Sequence, residues 1–212
     1  YQWQKDTVNI SGATNASYTI SNAQSDDNGS YRCIISNKYA SATSNGAALQ
    51  VGYAPAINNH PTSADQVAGS SVTFSISLAA GSTPITYQWQ KNSVNISGAT
   101  SISYTISSLA SDDNGSYRCV ATNPFGTTTS NAATLTVGTT PAVTTQPVDQ
   151  NAIVGASPTF SVSATGTAPL SYQWQKDGSN ITGATSSSYT IENVQIDANG
   201  TTYRCYITNK YG

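Results

Sequence analysis

Methionine is absent from these 212 residues, histidine occurs once, cysteine three times, and only 8% of residues are charged. Each scarcity excludes something. Eight Lys and Arg, scattered against ten Asp and Glu for a net charge of −2, leave no basic stripe to neutralise phosphates, so nucleic acid is excluded as a partner. The lone histidine, His60, precedes Pro61 and has no partnered Ser or paired Glu, so no general-base constellation exists. No enzyme, no cofactor and no metal site is therefore predicted. No run of about eighteen apolar residues occurs, so no membrane insertion is expected of this segment, and no signal peptide is read. Disorder normally accompanies high charge and few aromatics, whereas thirteen Tyr and three Trp recur here at fixed positions, which argues for folded, modest cores.

What the chain does have is a sentence written three times. Tyr1-Gln2-Trp3-Gln4-Lys5 leads to Tyr31-Arg32-Cys33, Tyr87-Gln88-Trp89-Gln90-Lys91 to Tyr117-Arg118-Cys119, and Tyr172-Gln173-Trp174-Gln175-Lys176 to Tyr203-Arg204-Cys205. Self-similarity at a fixed period outranks any local propensity, and it makes the unit one small domain of about 86 residues repeated head to tail. Length agrees, since it allows about two to three domains.

Within the unit, Val-, Thr- and aromatic-rich runs alternate with period two between Gly, Asn, Asp and Ser clusters, and no helical period is sustained. Val72, Phe74 and Ile76 share one face, as do Tyr87 and Trp89, with Gln88 and Gln90 on the other. Tyr104 and Ile106, then Leu109, then Tyr117, Cys119 and Ala121, then Ala133, Leu135 and Val137 complete the set. Two sheets with alternating inward residues form a β-sandwich.

Phe74-Ser75-Ile76, Trp89, Asp113-Asn114-Gly115-Ser116-Tyr117-Arg118-Cys119, Asn123-Pro124-Phe125-Gly126 and Ala133-Thr134-Leu135-Thr136-Val137 together resemble the immunoglobulin superfamily. The likeness is to the intermediate (I-set-like) domains found in tandem, including those of many bacterial surface proteins, and it covers essentially the whole chain. It implies an all-β Greek-key sandwich in which Trp89 is the strand C tryptophan and Tyr117 the corner tyrosine before strand F, its hydroxyl bonded back to the backbone. Asp113 and Gly115 then shape the E–F turn. The family's strand B cysteine is missing: Ile76 and Val162 stand in its place. No intradomain disulfide is expected, and Cys33, Cys119 and Cys205 are read as buried thiols beside Trp3, Trp89 and Trp174, with Tyr31, Tyr117 and Tyr203 completing the core. Few residues separate Trp89 from Tyr104, so strand D is expected to be short or absent.

The expected boundaries are 1–52 for a domain that begins at strand C, 54–138 for a complete one and 141–212 for one that lacks strand G, the chain reading as a window on a longer array. The joins at Gly52-Tyr53-Ala54-Pro55 and Gly138-Thr139-Thr140-Pro141 are short and proline-containing, hence semi-rigid. Asp26-Asp27, Asp112-Asp113 and Asp197 are read as turn residues rather than calcium ligands.

Two exposed features are candidates for contacts. Arg32, Arg118 and Arg204 lie between the Tyr and Cys of strand F and so face outward beside the strand C glutamines. Tyr39, Phe125 and Tyr211 occupy the F–G tips, and Phe125 is placed to pack near Tyr53 and Pro55 and stiffen a join. The expected function is that of a structural spacer in an extracellular or cell-surface, bacterial multi-immunoglobulin stalk or self-assembling filament. Its partners would be adjacent repeats or copies of itself. The alternative is an adhesin module that holds a glycan or surface protein.

Overall fold

A computed structural model describes all residues from Tyr1 to Gly212. The first sequence repeat contributes β1 (Gln2–Lys5), β2 (Val8–Asn9), β3 (Gly29–Ser36), β4 (Ser41–Thr43) and β5 (Ala47–Leu49). The second contributes β6 (Ala56–Asn59), β7 (Ala64–Val67), β8 (Val72–Ser75), β9 (Ser77–Ala80), β10 (Thr86–Lys91), β11 (Val94–Asn95), β12 (Ser103–Ile106), β13 (Gly115–Asn123), β14 (Gly126–Thr129) and β15 (Ala133–Gly138). The third contributes β16 (Ala142–Thr145), β17 (Thr159–Ser161), β18 (Ser163–Thr165), β19 (Ser171–Lys176), β20 (Ser179–Asn180), β21 (Ser188–Thr190) and β22 (Tyr203–Thr208). Short 3-10 turns precede β3, β13 and β22, and nothing else is helical. Between β10 and β12 the only strand is the two-residue β11, hydrogen-bonded to β10.

By contact density the chain forms two compact units, and the division runs through the middle repeat rather than through the joins. The first unit holds residues 1–61, 75–103 and 118–132, so it contains the Gly52–Pro55 join; the second holds 62–74, 104–117 and 133–212 and contains the Gly138–Pro141 join.

In the first unit, β1 lies between β2 and β3, and β3 also pairs with β4 and β5. The register sets Trp3 opposite Cys33 and Gln4 opposite Arg32. The β1–β2 hairpin turns on Asp6 and Thr7, both at positive φ (47° and 73°), as do Asn92 and Ser93 (49° and 69°) between β10 and β11. Two such residues in succession give the tight turn whose twist matches that of the flanking strands. Each hairpin then folds under its own tryptophan. Gly98 (φ 74°) turns the chain so that Trp89 N–H donates to Ala99 O at 2.9 Å and the indole N–H to Ser101 O at 2.9 Å. Trp3 repeats this with Ala13 and Asn15 at 2.9 and 3.1 Å.

In the second unit, β15 pairs antiparallel with the start of β13 and parallel with β7, while β19 lies between β20 and β22. Phe74 stacks on Tyr117 with ring centroids 4.8 Å apart, and Phe160 on Tyr203 at 5.0 Å. Val162, Trp174 and Ala184 form the buried centre of the third repeat.

Period-two burial is clearest in β13, where Tyr117, Cys119, Ala121 and Asn123 are buried and the intervening residues are not. Trp89, Trp174, Tyr117, Cys119, Phe74, Ile76, Val162, Tyr31 and Cys33 are all buried. Trp3, Tyr203 and Cys205 differ from the sequence reading in being only half-buried. The reason for the last two is local: β3 and β13 have further strands alongside, β4 and β5 or β14 and β15, whereas β22 pairs with β19 alone. All three cysteines are free thiols.

Candidate functional site

The chemistry of the joins begins with one asparagine per repeat. Asn37, Asn123 and Asn209 lie at the end of strand F, at the same 86-residue interval as the cysteines. An asparagine side chain can accept from its own backbone two or three residues on, and each of these does. Asn37 Oδ1 accepts from Tyr39 N and Ala40 N at 2.8 and 3.0 Å, Asn123 Oδ1 from Phe125 N and Gly126 N at 2.9 and 3.1 Å, and Asn209 Oδ1 from Tyr211 N at 2.9 Å. This builds the tip that carries the aromatic.

The amide nitrogen of the same side chain reaches into a join. Asn123 Nδ2 donates to Tyr53 O and Ser82 O, both at 2.7 Å. Asn209 Nδ2 donates to the equivalent Thr139 O and Thr167 O, both at 2.8 Å. The linker residue is tied further by Tyr53 N to Ser82 Oγ and Ser82 N to Tyr53 O, at 3.0 Å each. Thr139 N to Thr167 Oγ1 at 2.8 Å and Thr167 N to Thr139 O at 3.1 Å reproduce the arrangement. Asn37 makes the same turn bonds. Sequence reasoning picked out the tip aromatics and passed over these asparagines, although their interval was there to be read.

The tip aromatics then meet glycine. A methyl at Gly52 would overlap the Phe125 ring, and one at Gly138 the Tyr211 ring, so both positions need the close approach that only glycine permits. Pro55 is buried and its carbonyl accepts from Thr128 Oγ1, while the Tyr53 side chain stays exposed. Tyr211 Oη donates to Asp65 Oδ1 and Lys210 Nζ to Asp65 Oδ2, both at 2.6 Å. The hydrogen bonds from Lys210 and then Tyr211 hold the Asp65 carboxyl below its ordinary pKa, and the bond to Asp65, with Tyr211 beside it, holds the Lys210 ammonium above its own. Tyr39 touches no such partner and is 82% exposed.

The arginines form a second repeated feature. Arg118 Nε donates to Gln90 Oε1 at 2.8 Å, and Gln90 Nε2 to Asn95 Oδ1 at 2.8 Å. Arg32–Gln4–Asn9 and Arg204–Gln175–Asn180 form the same ladder, at 2.8 and 2.8 Å and at 2.7 and 2.7 Å.

The E–F turns are internally satisfied. Asp27 Oδ2 accepts from Gln24 N and Asp113 Oδ2 from Ala110 N, at 2.8 Å each. Tyr31 Oη donates to Asp27 O at 2.7 Å and Tyr117 Oη to Asp113 O at 2.8 Å, which is the tyrosine corner. Burial, with Asp113 nearby, pushes the Tyr117 hydroxyl up to about 12. The third repeat has one extra residue here, and Thr201 Oγ1 bonds Ala198 O at 2.8 Å instead. His60 Nδ1 accepts from Asn131 N at 3.1 Å, a structural bond.

Comparison with known proteins bears on the class. The immunoglobulin-domain family profile matches residues 54–123 and 140–209, an offset equal to the spacing of the cysteines. The chain belongs to the immunoglobulin domain family. It is 30% identical over 167 residues to human Roundabout homolog 3, covering 76% of this chain and 12% of that protein. It is 32% identical over 177 residues to Endoglucanase C of Cellulomonas fimi, covering 79% and 16% respectively. The cell adhesion molecule DSCAML1 of Mus musculus is 28% identical over 235 residues, 98% of this chain and 11% of that protein. The chain thus spans under a fifth of the length of these relatives. Among solved structures, the I-band fragment I67-I69 from titin superposes with TM-score 0.77 at 22% identity, covering 100% of this chain and 83% of that one. At that identity the likeness concerns the fold alone.

Proposed function

We propose that the chain is a spacer segment of an extracellular multi-immunoglobulin stalk, with domains over 1–52, 54–138 and 141–212. Its work is to hold successive domains at set spacing, and it is not itself catalytic. The observation that carries this reading is the pair of equivalent joins. In each, an asparagine ties the linker carbonyl to the neighbouring loop and an aromatic tip presses on the linker glycine. A binding loop has no need to repeat at every join; a spacer does. Properties then add along the array. The low charge, spread evenly along the chain, suits the same role. Extracellular or surface placement is supported by the adhesion molecule among the relatives.

Spin labels placed either side of the Gly52–Pro55 join test the proposal. A narrow distance distribution in the parent that broadens in Asn123→Ala supports it; a broad distribution in the parent refutes it. Electron microscopy of the native material would show whether arrays assemble laterally into filaments.

A second reading, an adhesin module, draws on the Arg–Gln–Asn ladders. Planar hydrogen-bonding groups fixed in rows, with the 64% exposed Tyr206 opposite Gln173 in the third repeat, suit a glycan or a protein surface. Glycan-array binding that is lost in Arg204→Ala would favour it.

A further inference from the structure

Each Arg–Gln–Asn ladder ends in an asparagine that opens the same triplet: Asn9-Ile10-Ser11, Asn95-Ile96-Ser97 and Asn180-Ile181-Thr182. Asn-x-Ser/Thr with a middle residue other than proline is the acceptor triplet for N-linked glycan. It also arises by composition in a chain so rich in Asn, Ser and Thr, and hydrogen bonding sorts the seven that occur. An arginine can only donate, so Arg118 Nε holds the Gln90 oxygen and turns the Gln90 nitrogen to Asn95. Asn95 then accepts through Oδ1, at 2.8 Å, and its Nδ2 is left without a hydrogen-bond partner. Asn9 and Asn180 are set the same way, at 2.8 and 2.7 Å. The isoleucine anchors the triplet: Ile96 N donates to Trp89 O at 2.9 Å and Ile96 O accepts from Gln88 Nε2 at 2.8 Å. Asn95 and Ser97 on either side of it are exposed. The triplets of the E–F turns are engaged instead. Asn28 and Asn114 accept from Val51 N and Val137 N through Oδ1, and their Nδ2 atoms donate to Val51 O at 3.3 Å and Ser111 O at 2.8 Å. In Asn199-Gly200-Thr201 the hydroxyl is taken, by Ala198 O at 2.8 Å. The seventh, Asn15-Ala16-Ser17, has no counterpart at Ser101 or Ser186.

We propose that Asn95, with Asn9 and Asn180 in the same place, is a modification site that carries an N-linked oligosaccharide on Nδ2. The donor is an oligosaccharide on a lipid pyrophosphate. The bond that forms joins Nδ2 to the anomeric carbon. The bond that breaks joins that carbon to the pyrophosphate oxygen, which leaves with the electron pair, while Nδ2 gives up one proton to a base of the transferase. The ladder leaves this nitrogen free in the folded chain: its hydrogen bonds use only Oδ1 of the asparagine, so the sugar replaces no bond of the fold. On Asn114 the sugar would compete with a nitrogen already given to a backbone carbonyl. Position adds a purpose. β2, β11 and β20 are each the edge strand of their sheet, and an unpaired edge invites sideways strand pairing. A bulky, solubilising chain at every such edge obstructs that pairing and keeps neighbouring arrays apart.

The test is to secrete the full chain from a eukaryotic host, which supplies the donor, and to treat the folded protein with peptide-N-glycosidase in H₂¹⁸O. Peptide mass spectrometry then reads each occupied asparagine as ¹⁸O-labelled aspartate. Asn9, Asn95 and Asn180 should be labelled, and Asn28 and Asn114 should not. Ser97→Ala, which removes the hydroxyl of the triplet and leaves the ladder intact, should abolish the label at Asn95 and spare Asn9 and Asn180. Asn95 unlabelled in the secreted chain, Asn28 and Asn114 labelled to the same extent, or a label at Asn95 that survives Ser97→Ala each overturns the proposal. The inference rests on the extracellular placement of the chain, and the spacer reading fails separately: mobile joins would broaden the spin-label distances whatever the occupancy of Asn95.

Discussion

A threonine at φ 73° is the least comfortable residue in the molecule, and it sits where the third repeat has Gly178 at φ 82°. A β-branched side chain in the left-handed region costs about 1–2 kcal/mol, of which glycine returns part as chain entropy. Thr7→Gly should therefore raise stability by about 1 kcal/mol, read as a later urea midpoint at unchanged slope. The thiols make a second residue-scale test. Burial pushes the Cys119 thiol up to about 11, and that sulfur is fully covered, whereas Cys205 is half-buried. A disulfide reagent at pH 8 should modify Cys205 first and reach Cys119 only as the chain unfolds; equal rates would contradict this packing. Because the folded value is raised, the neutral Cys119 thiol adds stability that is complete below the ordinary thiol range. That stability is lost as pH climbs through about 11.

Strands were legible because a half-buried strand writes its own period: the alternation at Tyr117, Cys119 and Ala121 needs no tertiary information. The hairpin turn at Asp6–Thr7 was not, since threonine is a poor guide to positive φ, and only the twist of the paired strands forces it there. The asparagine staples fall between these cases. Their turn bonds are local and follow from residue type, while their partners, Tyr53 and Ser82, lie 70 and 41 residues away. Asn123→Ala removes bonds of both kinds from a buried side chain. It should cost about 2–3 kcal/mol, against about 1 for Asn37→Ala, which loses turn bonds alone. Denaturant melts of the two variants compare them directly; equal losses would mean that the linker bonds contribute nothing.

For the molecule as a whole, the two joins share one staple and differ in their latch. The Phe125 join is apolar, whereas the Tyr211 join adds the Asp65 carboxylate, whose pKa is lowered by hydrogen bonds from Lys210 and Tyr211. A depressed carboxyl contributes above its ordinary range and is lost as pH falls through the lowered value. Acidification below the usual aspartate range should therefore loosen Tyr211 and leave Phe125 held. Ring-proton linewidths of the two followed against pH would show it, and parallel behaviour would sink the distinction. Because the pair is exposed, about 0.5 M salt should weaken the same latch.

The repeat interval, the alternation of its strands and the replacement of a cysteine by Ile76 and Val162 are properties of the chain read in order. They suffice for tandem, disulfide-free immunoglobulin sandwiches, because burial of a pleated strand depends on residue type and period. Which tip grips which pole depends instead on distance in space. Asp65 and Tyr211 are 146 residues apart, and nothing in either neighbourhood announces the other. Packing a ring onto Gly138 brings them to 2.6 Å. The scarcity of charge noted at the outset thereby becomes informative: with so few ionic groups to place, one aspartate is spent on a join.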